Sequence, residues 1–319
     1  MASGSFILAE TLPFTLLYLL LALIPLYTAL YCVGSRAPTL YTFLSMSTAV
    51  IAFASCPYTA PLRCPQADII LRLACGTAIM KVLDMFFRRH QPPKLNWHTS
   101  PAVYALYLLI ELRYESFDIS TARKSAINFS DNTEYGIHLA TFLFLQCLPQ
   151  SPVVKAFGVL LAIWLIWNSM HYVLKYRDSP PLFGPVYRAE NLSYFWTQTW
   201  HNAYTSPTRT LGYRPMRRLF GPIGGVMGGF GLMAIFHVWA LAPYVEPDGL
   251  FRVAVFFMAN GAGSIVDYWV WEKQNTWTRI LVNWGFEVFL AQYTVAKFDI
   301  PDGLLAIDYK NICRAQIDL

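Results

Sequence analysis

The chain has 319 residues, of which 55% are hydrophobic and 13% are charged, about half the charged fraction of an ordinary soluble domain. A soluble protein of this length has no core large enough to bury so much apolar surface, so the composition argues for a protein that lies in lipid. The net charge of +5 includes no long run of Lys and Arg that would follow a phosphate backbone, which argues against a nucleic-acid partner.

The N-terminal part contains three apolar segments that predict membrane-spanning helices, which need about 20 mostly apolar residues. They cover residues 12–33, 40–54 and 69–87. Because no basic segment precedes the first one, a spanning helix is favoured there over the alternative, a cleaved signal peptide. The second segment is short and is predicted to end at Pro57 and Pro61.

The polar stretch 88–135 is basic, and the positive-inside rule places it in the cytosol. Within it, the apolar piece 102–110 is too short to span and is expected to lie in the interface as an amphipathic or re-entrant segment. A second non-spanning stretch covers 175–218, and the tail 297–319 is polar enough to leave the membrane. The remaining candidate spans are residues 136–148, 154–174, 219–241, 250–271 and 280–296.

These segments predict an all-α fold, a polytopic transmembrane helical bundle with about seven or eight spans. No internal repeat or low-complexity linker divides the chain, so residues 1–319 are interpreted as a single domain. The oligomeric state is left open.

Glycines and cysteines give two further expectations. The glycines between Gly221 and Gly231 are spaced for close approach of helix backbones in lipid and lack the Lys-Ser/Thr ending of a phosphate loop. The six cysteines are scattered without CxxC spacing, so neither a disulfide framework nor a zinc site is predicted. The sequons at Asn128 and Asn191 lie in stretches expected in or near the cytosol and are expected to stay unmodified.

Two histidines are candidate functional residues. His237 lies within a long apolar run, and an ionisable residue inside a span is by default a functional-site hypothesis, because a neutral imidazole can take a proton from a hydroxyl. The alternative is a structural histidine bonded to a neighbouring helix. His201 ends an aromatic stretch in which Trp196 and Trp200 have the alternative role of an interfacial belt.

The motif Phe195-Trp196-Thr197-Gln198-Thr199-Trp200-His201, followed by basic residues and by a membrane helix bearing His237, resembles the wax-synthase-like branch of the membrane-bound O-acyltransferase superfamily. The resemblance is to the type found in fungal secondary metabolism. It implies an enzyme of the endoplasmic reticulum that moves an acyl group, often acetyl, from acyl-CoA to a lipophilic alcohol such as a terpenoid or polyketide alcohol. It also implies that His237 is the general base and that His201 is a second active-site group, with no metal and no bound cofactor beyond the acyl-CoA co-substrate.

Further residues are predicted to contact the substrates. Asn191, Trp196 and Trp200 are predicted to bind substrate. Asn191 or Asn202 would help by hydrogen bonding, and the lipophilic acceptor would enter from the bilayer. Arginine side chains bind phosphate oxygens well, so four arginines in one loop are candidates for binding CoA; the alternative is a positive-inside anchor for the next helix. They are Arg209, Arg214, Arg217 and Arg218.

Two other functions stay open. A membrane-embedded terpene cyclase or isomerase would need a carboxylic acid to start a carbocation, and Asp84, Asp267 or Glu287 would serve, with aromatic side chains stabilising the cation. These acids have the alternative role of pairing with basic residues such as Lys81 or Arg72. A transporter would require inverted repeats, and the sequence shows none.

Overall fold

The architecture is all helical, as predicted. The computed structural model describes residues 4–92, 100–110, 131–174, 182–184, 186, 189–200, 202–270, 276–298, 300, 302 and 313, and no strand occurs among them. The helices are α1 (Gly4–Gly34), α2 (Thr39–Thr59), α3 (Pro65–Phe87), α4 (Pro101–Ile110), α5 (Asp131–Gln146), α6 (Pro152–Leu174), α7 (Leu192–Tyr194), α8 (Thr205–Pro207), α9 (Arg214–Leu241), α10 (Pro247–Val270) and α11 (Thr276–Val295). Turns of π-helix cover Phe195–Thr199 and Thr208–Tyr213, and a 3₁₀ turn covers Asn202–Tyr204.

Five segments of the described chain are long and apolar enough to cross a membrane: Glu10–Gly34, Thr39–Thr59, Pro152–Ser169, Thr205–Leu241 and Pro247–Asp267. Large apolar side chains on these and other helices face outward, among them Leu20, Ile51, Ile235 and Leu281, each at least 62% exposed. Outward apolar residues are what a lipid solvent requires, so the prediction of a membrane protein is confirmed. The count of seven or eight spans stays a prediction, because α3 and α11 have the length but fall outside this set.

The helices α1, α2, α3 and α4 form one layer around a buried apolar core that includes Leu30, Phe53, Met85 and Leu108. Helix α2 continues past Pro57 to Thr59 and ends before Pro61, so of the two prolines expected to end it, Pro57 does not. A proline removes one N–H from a helix, and here it lies in the last turn, where little of the helix remains to be disrupted.

The short apolar segment forms α4 and packs its Tyr104 and Leu108 against the α1–α3 layer, while Val103 and Leu106 stay half exposed. The ammonium group of Lys81 in α3 donates to the carbonyl oxygens of Leu108 (2.9 Å) and Leu109 (3.4 Å). The last carbonyls of a helix have no partner within the helix. The buried lysine therefore caps α4 and fixes it to α3.

The chain reverses direction at Gly221, where φ is +72° and ψ is −168°. Residues before the reversal pack against residues after it: a Cβ added to Gly212 would lie 2.6 Å from the carbonyl oxygen of Gly228. In one straight helix these glycines would lie about 24 Å apart at 1.5 Å per residue. The close packing expected of the glycines is therefore found, within a helical hairpin.

The hairpin also shows where the span begins. Residues 205–218, part of the stretch expected not to span, are helical, and α9 begins at Arg214. Only the part of α9 after the reversal continues towards Leu241, and it has the length of one span.

The expectation that the cysteines form no disulfide is wrong at one pair. Cys64, before α3, is bonded to Cys313 in the C-terminal tail. Cys32, Cys56 and Cys75 are free and buried, and Cys147 is free and exposed.

Candidate active site

The aromatic motif follows a short capped turn. The side-chain oxygen of Asn191 accepts a hydrogen bond from the backbone N–H of Tyr194 (2.7 Å), which makes Asn191 the cap of α7. The carboxylate of Asp267 in α10 accepts from the backbone N–H of Leu192. These two contacts set where the π-helical turn begins, and with it the direction of Trp196 and Trp200.

Trp196 is held by two buried polar groups. Its indole N–H donates to Oδ1 of Asn260 (3.1 Å) in α10 and to Oε1 of Glu287 (2.9 Å) in α11. Asn260 is fully buried and Glu287 is 3% exposed, and buried polar groups of this kind need hydrogen-bond partners. Trp196 therefore ties the motif to α10 and α11.

Beside Trp196 lies a cavity of about 60 Å³ with almost entirely apolar walls. Trp196 and Trp200 line it, together with Glu287 and with His138 of α5. The remaining wall residues are Phe157, Leu160, Leu161, Trp164, Val186, Phe195, Phe256, Trp284 and Ala291. Two of the predicted substrate contacts thus face one cavity.

His237 lies in α9 with one ring nitrogen committed. Its Nδ1 is 2.8 Å from the carbonyl oxygen of Met233, which can only accept. Nδ1 must therefore carry the proton of that bond, and in the neutral ring Nε2 is left as the acceptor. The hydrogen bond made by Nδ1 thus leaves Nε2 able to accept a proton. A general base needs such a nitrogen.

An aromatic cluster connects His237 to the motif. The ring of Phe257 lies 4.5 Å from that of His237 and 6.0 Å from that of Trp196. His237 does not line the cavity. The structure therefore brings His237 and Trp196 into one aromatic cluster through Phe257, with His237 outside the cavity wall.

The four predicted arginines lie in the hairpin, with Arg209 before α9 and the other three in its first turns, and all are exposed. Arg88, Arg209 and Arg218 lie within electrostatic range of Arg214, as does the opposing carboxylate of Asp84. A concentration of positive charge attracts anions. Arg217 lies over the ring of Tyr213 at 5.8 Å.

The acidic residues have different surroundings. Asp84 accepts from the hydroxyl of Ser206 (2.6 Å) and lies 3.7 Å from Arg88, while Arg72 binds Asp68 (2.8 Å). Asp267 supports α7, and Glu287 alone of the three candidate acids lines the cavity. In the described part of the chain, no three His, Cys, Asp or Glu side chains are placed to hold a metal ion.

Sequence reasoning missed His138, and two predicted residues cannot be compared. His138 lies on α5 without a neighbouring motif, so nothing in the sequence singles it out. His201 and the side chain of Asn202 lie outside the described residues. The side-chain oxygen of Asn191 accepts the capping hydrogen bond of α7. The predicted substrate contact of Asn191 stays a prediction.

Residues 179–259 match the membrane bound O-acyl transferase family, and the matched segment contains both the aromatic motif and His237. The chain is also similar to a curated protein of Arabidopsis thaliana named probable long-chain-alcohol O-fatty-acyltransferase 7. The two are 22% identical over 272 residues, which cover 80% of this chain and 71% of the relative. No solved structure matches the chain.

Proposed function

We propose that the chain is a membrane-bound O-acyltransferase that moves an acyl group, acetyl in the reaction we favour, from acyl-CoA to the hydroxyl of a lipophilic alcohol. The family match over 179–259 and the name of the plant relative support the reaction class. The observation that carries the proposal is the hydrogen bond from Nδ1 of His237 to Met233, because it leaves Nε2 as a base inside an apolar cluster.

The proposed reaction is one acyl transfer. As the acceptor oxygen attacks the thioester carbonyl, its proton passes to Nε2 of His237. The new C–O bond forms, the C–S bond breaks, and the sulfur leaves with the electron pair. The imidazolium returns the proton to the thiolate, so the products are an ester and CoA thiol. His201 is proposed to orient a substrate or to polarise the carbonyl.

The hairpin arginines are proposed to bind the phosphates of CoA. Arg209, Arg214, Arg217 and Arg218 are exposed, and guanidinium groups pair with phosphate oxygens in bidentate fashion. The acceptor is proposed to be a terpenoid or polyketide alcohol of secondary metabolism that arrives through the bilayer of the endoplasmic reticulum.

A donor competition tests the proposal. Membranes that contain the chain are given radiolabelled acetyl-CoA and a panel of terpenoid, polyketide and long-chain alcohols, and ester formation is measured against membranes without the chain. We expect label in an ester, with acetyl-CoA used faster than long-chain acyl-CoA. Faster transfer of long chains would keep the class and reject the acetyl donor, and no ester from any pair would reject the proposal.

A terpene cyclase or isomerase is the second candidate, favoured by the position of Glu287 against a cavity lined by tryptophans. A buried carboxylic acid donates a proton, and indole faces stabilise the resulting cation. Membranes given a linear polyprenyl substrate would then form a cyclic product without acyl-CoA. The Glu287→Gln variant would abolish that product, whereas His237→Ala would not.

A further inference from the structure

A buried polar network joins the C-terminal end of α3 to the start of the helical hairpin. Asp84 is fully buried, and its Oδ2 accepts a hydrogen bond from the hydroxyl of Ser206 (2.6 Å). Nη1 of Arg88 donates to the same hydroxyl oxygen (2.6 Å) and lies 3.7 Å from Oδ2 of Asp84. The Ser206 hydroxyl therefore connects the carboxylate to the guanidinium group.

The sequence around Arg88 explains why its side chain is held in this place. Asp84 and Arg88 are one turn apart in the same helix, and side chains at this spacing lie on one face. Arg88 is also the C-cap of α3, where the helix dipole favours a positive charge. A buried carboxylate requires charged or hydrogen-bonded partners. Arg88 is thus fixed both by its own helix and by the hairpin.

This arrangement brings the charge of Arg88 to the arginines of the hairpin. Among the described residues that act electrostatically on Arg214, three are positive and one, Asp84, is negative. Like charges repel at short range, and a concentration of them attracts anions. We call the four positive residues the arginine cluster: Arg88, Arg209, Arg214 and Arg218.

We propose that Arg88 binds phosphate together with the hairpin arginines, and that Asp84 and Ser206 position its guanidinium group. The ligand chemistry is that of a phosphate ester, whose oxygens accept parallel N–H bonds from guanidinium groups. This inference rests on the proposed function in one respect: the phosphates are taken to be those of CoA. The headgroup of an anionic phospholipid has the same chemistry, so the test below distinguishes the two sources.

Arg88 differs from the hairpin arginines in its freedom to move. Its side chain is 13% exposed and hydrogen-bonded to Ser206, whereas Arg209, Arg214 and Arg218 are exposed. An exposed arginine loses rotamer freedom when it binds a ligand, and a side chain that is already ordered loses less. We therefore expect loss of Arg88 to weaken phosphate binding more than loss of an exposed arginine such as Arg218.

The test is equilibrium binding of tritiated CoA to the purified full chain in an uncharged detergent, with pantetheine as a phosphate-free competitor. The parent should bind CoA more tightly than pantetheine. Arg88→Gln should weaken CoA binding about tenfold, the size of one hydrogen bond to a charged group, and leave pantetheine binding unchanged. Arg88→Lys keeps the charge and should lose less. A general disturbance of the fold would weaken both ligands.

Two substitutions at Ser206 test the positioning role. Ser206→Ala removes the hydroxyl to which Arg88 donates, and it should weaken CoA binding about threefold without changing pantetheine binding. Ser206→Thr keeps a hydroxyl and should restore CoA binding to that of the parent. A Ser206→Ala variant that binds CoA as the parent does would reject the positioning role.

Arg36→Gln is the matched control. Arg36 is exposed in the turn before α2, and it is not among the charges that act on Arg214. Its replacement removes the same charge and should leave the binding of both ligands unchanged. Absence of saturable CoA binding, no preference for CoA over pantetheine, or equal effects of Arg88→Gln on the two ligands would overturn the proposal.

A second arm tests the lipid headgroup. The chain is placed in bilayer nanodiscs of phosphatidylcholine with a small fraction of tritiated phosphatidylglycerol, and retention of the label by the chain is measured after transfer to detergent. We expect Arg88→Gln to retain as much label as the parent. Loss of the label in Arg88→Gln, with unchanged CoA binding, would assign the phosphate to a lipid headgroup and overturn its assignment to CoA.

Binding and transfer fail separately in this design. A chain that binds CoA in the predicted pattern but forms no ester keeps the arginine cluster and loses the transferase. A chain that forms ester while Arg88→Gln binds CoA as the parent does keeps the transferase and loses the role of Arg88.

Discussion

At the scale of single residues, His138 and His237 have the same local geometry and different surroundings. In each, Nδ1 is bonded to the carbonyl one helical turn earlier, at 2.8 Å. His138 lines a cavity and His237 packs between phenylalanine rings. The same imidazole tautomer thus occurs once in a cavity wall and once in an apolar cluster.

Part of this site is predictable from sequence. Trp196 and Trp200 were identified by a motif whose residues are consecutive, and a span of apolar residues made His237 conspicuous. His138 and Glu287 meet the motif only because α5 and α11 pack beside it. That proximity depends on tertiary packing, which leaves no local spacing to recognise.

The bond network around Trp196 predicts a stability effect. Trp196→Phe keeps an aromatic ring but removes the N–H that Glu287 and Asn260 accept. Leaving a buried acceptor with one partner fewer costs about 1–3 kcal/mol. Thermal unfolding in detergent should show a lower Tm than the parent, whereas Trp277→Phe at an exposed position should not; equal Tm values for parent and Trp196→Phe would contradict the network.

At the scale of elements, the helical hairpin that turns at Gly221 depends on glycine at two kinds of position. Gly221 has a positive φ of 72°, which residues with a Cβ rarely adopt. Gly212 and Gly228 are in backbone contact across the hairpin. Sequence spacing predicted close packing but not the reversal, because Gly221 and Pro222 lie in a continuous apolar run.

A pair of alanine substitutions tests this hairpin. Gly212→Ala places a Cβ 2.6 Å from a backbone oxygen, so the two helical segments must move apart and Tm should fall. In Gly285→Ala the new Cβ meets nothing within 4 Å, and alanine favours a helix by about 1 kcal/mol, so Tm should be unchanged or higher. A Gly212→Ala variant as stable as the parent would show that the segments do not pack this closely.

At the scale of the whole molecule, a disulfide ties the segment after α2 to the C-terminal tail. Cys64 follows α2 and is bonded to Cys313. Disulfides persist in oxidising compartments, so we expect the Cys64 end of α2 to face such a compartment. The pairing was not predictable, because the two cysteines are 249 residues apart and share no spacing signature.

The disulfide gives a third stability prediction. Cys313→Ser should lower the free energy of unfolding by about 2–4 kcal/mol, the usual effect of closing a long loop. Tryptic peptides of the parent under non-reducing conditions should contain a Cys64–Cys313 cross-link. Cys147→Ser, at a free and exposed cysteine, is the control and should change neither result; unlinked peptides from oxidised membranes would reject the pairing.

The most direct test of the central claim compares the parent with His237→Ala in single-turnover transfer from radiolabelled acetyl-CoA to an accepted alcohol. Loss of a general base slows proton transfer by about a hundredfold to ten-thousandfold, so ester formation should fall at least a hundredfold while the alcohol still binds. Ester formation at the parent rate in His237→Ala would contradict the assignment of His237 as the base.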